Sequence, residues 1–168
     1  MALSPFERES SIVLVEYLVA RGVLVKLGDK YNLAGRGMSL KGPVKEAHDK
    51  ILAQLHAERY SPPALGLLAA SGKPFQEAIK YILDSGEGHK CGSEFVLMHD
   101  VWAEVVGYIR EKINNSGALT VADLKDRFGL TRKFAIPILE ETDRIKLTRR
   151  EGDIRVKGDR FENEEFVS

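Results

Sequence analysis

Two groups of side chains in this 168-residue sequence are of types that do chemistry. The first is a run of bases toward the C-terminal end: Lys125, Arg132, Lys133, Arg149, Arg150 and Arg155. Between Lys125 and Lys157 ten Lys and Arg stand against six Asp and Glu, a local excess of +4 in a chain whose totals balance at 25 against 25. Such a cluster suits phosphate or another polyanion; a solvated charged face is the reading that charge alone leaves equally open. The second group is His89, Cys91 and His99. These are metal-ligand types, but no CxxC pair accompanies them and they fall along a hairpin and its exit, so a structural role is expected and no metal. Nothing pairs a nucleophile with a base, and no catalytic residue is expected.

The basic cluster needs a helix and a hairpin to hold it. Phe134, Ala135, Ile138, Leu139 and Thr142 share one side of a helix and should face a core, leaving Arg132, Lys133, Ile136, Pro137, Glu140 and Glu141 outward. That outward side is basic in its first turn and acidic at its far end, the reverse of what a helix dipole prefers. The order suits an anion arriving at the helix start, where backbone N–H groups are free. Pro137 removes one backbone hydrogen bond, so the helix either starts close to it or kinks there. Arg149 and Arg150 precede a Gly-containing turn, and Arg155 and Lys157 follow it. Strand alternation puts Ile154 and Val156 on one face and Arg155 and Lys157 on the other, open one.

This helix-plus-hairpin form recurs. Tyr17–Gly22, Val23–Leu27, Gly28 and Tyr31–Leu33 align without a gap on Tyr81–Gly86, Glu87–Cys91, Gly92 and Phe95–Leu97, at an offset of 64 residues. A looser third copy runs through Ile138–Arg144, Ile145–Arg149, Gly152 and Ile154–Val156, with about two extra residues in its turn. Upstream helices complete the units. Val44, Ala47, Ile51, Leu52 and Leu55 keep helical spacing, Pro62 and Pro63 suit the start of a second helix with Leu65 and Leu68, and Phe75, Ala78, Ile79, Ile82 and Leu83 line a third. Val101, Trp102, Val105, Val106, Ile109 and Ile113 line the next, which Asn114–Gly117 ends; Thr120-Val-Ala-Asp123 then opens a helix with a capping-box pattern.

Three helices and a β-wing make a winged helix, a relative of the helix-turn-helix. The fold expected is therefore mainly α with small β-wings, as tandem winged-helix domains. Residues 1–40 read as the helix and wing of a truncated unit, 41–100 as a complete unit with balanced charge acting as a spacer, 101–158 as the last, binding unit, and 159–168 as an acidic, disordered tail. The incomplete first unit is expected to be the end of a domain of a longer protein, or alternatively an N-terminal extension packed on the second unit; the fragment is expected to be monomeric. Hydrophobic residues at 43%, one cysteine, no membrane-length apolar run and no signal-peptide pattern read as a cytoplasmic protein with no membrane partner.

The string Thr131-Arg132-Lys133-Phe134-Ala135-Ile136-Pro137-Ile138-Leu139-Glu140, with Asp143-Arg144-Ile145 and Thr148-Arg149-Arg150-Glu151-Gly152-Asp153, resembles the last winged helix of the bacterial selenocysteine-specific elongation factors. Leu119 to Leu124 fits the same pattern, and the likeness weakens upstream of Ile113. The resemblance implies the end of a four-winged-helix array whose last unit grips an mRNA hairpin, the selenocysteine insertion element. Lys125, Thr131, Arg132, Lys133, Arg149, Arg150 and Arg155 would make the RNA contacts. Ribosome and selenocysteinyl-tRNA would be met through the full-length factor. GTP and magnesium belong to a GTPase portion; no phosphate-binding Gly-x-x-x-x-Gly-Lys-Ser/Thr loop occurs here, so no cofactor is expected in this segment. A winged helix also serves DNA-binding regulators and protein-interaction modules, which are the alternative readings.

Overall fold

The apolar stripes become helices where they are expected. The computed structural model describes residues 15, 17–19, 24–27, 30–33 and 40–162. Residues 15 and 17–19 are helical, and a hairpin follows from β1 (Leu24–Leu27) and β2 (Lys30–Leu33), as the first repeat predicts. The rest of residues 1–39 lies outside the described part.

The middle set of elements is α1 (Gly42–Glu58), α2 (Leu65–Ala69), α3 (Lys73–Asp84), β3 (Gly88–Cys91) and β4 (Phe95–Met98). Ala47, Ile51 and Leu55 of α1 and Ala78 and Ile82 of α3 are buried, one face of each helix meeting the other. The prolines 62 and 63 precede α2 rather than open it, because Ala64 stands at its cap. Met98 ends β4 and caps α4 (His99–Ser116), so one set runs into the next without a linker.

The last set is α4, β5 (Leu119–Thr120), α5 (Val121–Phe128), α6 (Arg132–Arg144), β6 (Thr148–Glu151) and β7 (Ile154–Lys157). Its antiparallel sheet has the order β5-β7-β6, the three-stranded sheet of a winged helix. Gly117 ends α4 in the left-handed conformation, at φ 78°, where a side chain would be strained. At the start of α5 the Asp123 N–H donates to Thr120 Oγ1 (3.1 Å) and the Thr120 N–H donates to Asp123 Oδ2 (2.8 Å), so the expected capping box is formed.

The hairpins correct the repeat. Leu27 pairs with Lys30 and Glu151 with Ile154, leaving two residues in each of those turns, whereas Cys91 pairs with Phe95 across three. The first two copies therefore differ by one residue at the turn, and the third needs no extra residues. Its first strand starts at Thr148, three residues after the position the periodicity suggested.

The buried residues run as one cluster from Ala47 to Phe161, centred on Trp102, Val105, Ile109, Leu124, Ile138 and Leu139. Each fully buried aliphatic side chain there contributes about 1.5–3 kcal/mol. Phe161 belongs to this cluster and is 3% exposed. The backbone after β7 is held by Gly158 N–H to Leu147 O (3.0 Å) and Arg160 N–H to Lys146 O (2.9 Å). The expectation of disorder from residue 159 is thus corrected for 159–162; residues 163–168 lie outside the described part.

Candidate nucleic-acid interface

The helix-turn-helix corner is set by two helix ends. Gly129, at φ 65°, caps α5, and its N–H and that of Leu130 both donate to the Lys125 carbonyl. Leu130 plugs the core, and Thr131 starts α6 from an extended backbone. Thr131 is exposed and its hydroxyl makes no capping bond, while its carbonyl accepts from the Phe134 and Ala135 N–H groups at 3.1 Å. Helix α6 therefore begins uncapped and with no acid in its first turn, which leaves a positive helix end facing solvent.

The predicted cations divide into two kinds. Arg132 and Lys133 are exposed in that first turn, and Lys125 is half-buried on the adjoining turn of α5; none forms an ion pair among the described residues. Lys133 Nζ lies 5.6 Å from the centre of its neighbour's ring, Phe134. Among the described residues Arg150 is also without a carboxylate partner, and it donates from Nε to the Gly152 carbonyl at 2.9 Å, which stiffens the wing tip. Arg149 is exposed but holds Glu151 at 2.7 Å. Adjacent in a strand, Arg149 and Arg150 point to opposite faces of the wing.

Arg155 is where the sequence reading fails. Expected on the open face, it is 4% exposed, and its Nε donates to Asp143 Oδ2 at 3.3 Å. The other Asp143 oxygen accepts from Thr148 Oγ1 at 2.6 Å, and Thr142 Oγ1 lies 2.9 Å from the same hydroxyl oxygen. Strand β7 is the middle strand of its sheet, lying between β5 and β6, and the charged side of Arg155 is covered by the end of α6. Arg155 thus ties wing to helix and is not placed to meet a ligand.

The outward side of α6 is corrected too. Arg132, Lys133, Ile136 and Glu140 are exposed as expected, but Pro137 and Glu141 are buried. Helix α6 spans Arg132–Arg144 with Pro137 inside it. Hairpin β3–β4 covers that side. His89 Nε2 lies 3.0 Å from Glu141 Oε1, Phe95 and Phe134 meet edge to face at 5.3 Å, and His89 stacks flat on Trp102 at 3.9 Å. Burial draws the Glu141 pKa upward, but the hydrogen bonds from Arg144 (2.7 and 2.8 Å) and His89 outweigh it and hold the carboxyl below its usual range. His89 is therefore committed to Glu141 and Trp102. Cys91 is buried, and that burial pushes its thiol well above the usual range. Among the described residues no cluster of metal-ligand types forms and no helix is long and apolar enough to cross a membrane.

What the sequence reading missed is that free positive charge gathers at the corner between α5 and α6 more than on the wing. Ion pairing could not be read from strand alternation, because the partners Asp143 and Glu162 of Arg155 and Lys157 lie outside the strand.

Residues 111–156 match the family model described as "Elongation factor SelB, winged helix". The chain is 29% identical over 146 residues to the selenocysteine-specific elongation factor of Desulfomicrobium baculatum, covering 84% of this chain and 23% of that protein. It is 44% identical over 55 residues to the corresponding factor of Escherichia coli (strain K12), covering 33% of this chain and 9% of that protein. The chain thus spans less than a quarter of each of these relatives. In fold it is similar to the mRNA-binding domain of elongation factor SelB from E. coli, solved in complex with SECIS RNA, with a TM-score of 0.55 and 21% identity over 71% of this chain and 100% of that one. It is also similar to a bacterial selenocysteine-specific elongation factor, EF-Sec, with a TM-score of 0.55 and 20% identity over 86% of this chain and 23% of that one. At these identities the two structures bear on the fold alone. Through residues 111–156, the chain is thus similar to the winged helix of the SelB elongation factors.

Proposed function

We propose that this chain binds an mRNA hairpin of the selenocysteine-insertion type, and that it does so at the corner formed by the end of α5, the first turn of α6 and the tip of the β6–β7 wing. The observation that carries the reading is the set Lys125, Arg132, Lys133 and Arg150, cations without a carboxylate partner among the described residues, on the elements that border the uncapped start of α6. Paired RNA hides its base edges in a deep, narrow groove, so a hairpin is read at loops and bulges. A small basic helix end beside a two-stranded wing matches that target better than a long helix laid in a DNA groove. The E. coli relative of the same fold was solved with SECIS RNA, which supports this choice of ligand.

On this reading the segment binds and does no chemistry, and needs no cofactor. The wing pairs of Arg149 and Lys157 are surface pairs worth about 0–1 kcal/mol, so phosphate could take them over. The 41–100 and 101–158 units act as a single arm through the contacts of His89, Phe95 and Trp102. Recruitment of selenocysteinyl-tRNA, ribosome and GTP would then fall to the full-length factor, working in the cytoplasm. A gel-shift titration tests the reading with a bulged hairpin, the same hairpin without its bulge, and a DNA duplex of equal length. Preference for the bulged hairpin is expected. Equal or tighter binding of DNA would favour a transcription regulator, and no salt-sensitive binding at all would favour a protein-interaction module.

A further inference from the structure

Resting on the reading just given, we infer that Arg127 is a further RNA-contacting residue, held ready on an aromatic platform at the end of α5. Its guanidinium carbon lies 5.7 Å from the centre of the Tyr108 ring and 5.6 Å from that of Phe128. Those rings are themselves fixed. Tyr108 and Phe128 meet edge to face at 5.4 Å, Phe128 packs on Tyr60 at 4.9 Å, and the Tyr108 hydroxyl donates to the Asp123 carbonyl at 3.3 Å. The Tyr60 hydroxyl in turn donates to Glu104 at 2.7 Å.

Several charged side chains of this module are already committed. Lys112 holds Asp123 at 2.9 Å, Arg144 holds Glu141, Arg155 holds Asp143 and Lys157 holds Glu162. Arg127 is exposed and forms no ion pair among the described residues. Along the chain it precedes the Gly129–Thr131 turn at the end of α5, and Arg132 and Lys133 follow that turn at the start of α6. A guanidinium lying on rings keeps its charge and its five donors while losing little rotamer freedom on binding. That is the arrangement a phosphate contact uses: the charge is open and the side chain already ordered. The ligand it fits is the sugar–phosphate backbone of the hairpin strand that passes the start of α6.

The test is fluorescence anisotropy on the full chain with a labelled bulged hairpin, titrated at several KCl concentrations. Arg127→Ala and Arg127→Lys are compared with wild type and with Lys80→Ala, an exposed base on α3 of the middle set. Arg127→Ala should weaken binding about five- to tenfold and lower the slope of log affinity against log salt by about 0.7–0.9, the value of one lost phosphate contact. Arg127→Lys should keep the wild-type slope while binding more weakly, since it retains the charge and loses the guanidinium's contact with the rings. Lys80→Ala should match wild type in both. Wild-type affinity and slope in Arg127→Ala would overturn the assignment while hairpin binding stood. Weaker binding with an unchanged slope in Arg127→Ala would also overturn it, marking Arg127 as a packing residue. Failure of the wild-type chain to bind the hairpin would remove the functional reading itself, and this inference with it.

Discussion

His89 and Glu141, fifty-two residues apart, meet at 3.0 Å and join the middle hairpin to the helix of the last module. Glu141 is 3% exposed and also carries Arg144, so the contact is an interior one anchored at its other end by a surface arginine. Phe95 against Phe134, and Arg59 and Tyr60 against Glu104, add two more stitches along the same seam.

The seam should weaken in mild acid. Burial against Trp102 lowers the His89 pKa from its ordinary 6.5, and the Glu141 hydrogen bond offsets this only in part. The folded state therefore holds His89 neutral, donating to an ionised Glu141. A histidine whose pKa is lower folded than unfolded contributes stability that is present above about pH 6.5 and lost as pH falls toward and through the folded value. The melting temperature of the wild type should drop between pH 7.5 and 5.5. In His89→Gln, which keeps an N–H donor but does not titrate, that part of the drop should vanish. A pH profile identical in both proteins would remove His89 as the source.

A second acid-sensitive point sits at the α5 cap. The side-chain bond from Thr120, joined by Lys112 at 2.9 Å, holds the Asp123 carboxyl at a pKa of about 2, against 3.8 ordinarily. A depressed carboxyl stabilises the fold above the unfolded value, and the contribution fades as pH drops from about 4 through 2. Linkage gives about 1–2 kcal/mol, allowing for partial exposure. Thr120→Ala should cost about 1 kcal/mol at neutral pH and flatten this acid transition. Chemical denaturation at pH 7 and pH 3 would measure both, and a Thr120→Ala penalty of equal size at the two pH values would refute the coupling.

Much of this architecture was legible because it depends on local chemistry. Thr120 and Asp123 stand at capping-box spacing, Gly117 and Gly152 mark a helix end and a turn, and the stripe Ala135, Ile138, Leu139 and Thr142 lies on one helical face. Arg132 and Lys133 are also where the helical pattern puts them. What was missed depends on contacts across the fold. Alternation assigns Arg155 to a face but does not say that Asp143 covers it, and Glu141 looks solvent-facing until hairpin β3–β4 lies over it. Phe161, one aromatic in an acidic run, gave no periodic signal at all, though it is buried in the core.

The difference between Arg132 and Arg155 has a measurable consequence. Arg132 is exposed and has no ion pair among the described residues, so Arg132→Ala should leave the melting temperature nearly unchanged, weaken hairpin binding and flatten its salt dependence by close to one phosphate contact. Arg155→Ala removes a buried guanidinium and leaves the half-buried Asp143 carboxylate with Thr148 as its remaining partner, which costs about 1–3 kcal/mol in stability. Measured below its lowered melting temperature, Arg155→Ala should keep the wild-type salt slope. Calorimetry paired with anisotropy separates the two, and a reversed pattern would put the RNA contact on the wing interior instead.

Gly158 sets how the chain leaves the wing. A Cβ built on it would come within 2.3 Å of the Lys146 carbonyl oxygen and 2.9 Å of the Leu147 carbonyl carbon. Both are backbone atoms in the segment between α6 and β6, so no flexible side-chain end could swing away. The same glycine donates to Leu147 O, and that bond starts the turn that delivers Phe161 to the core. Gly158→Ala must therefore push the turn outward and lift Phe161 with it. A loss of about 1–3 kcal/mol is expected from the steric displacement, and Phe161→Ala should cost about 3–5 kcal/mol by emptying its site. Because both substitutions release the same ring, their effects should fall short of additive in the double variant. Urea unfolding of the four proteins measures this directly, and fully additive losses would mean that Gly158 and Phe161 act independently.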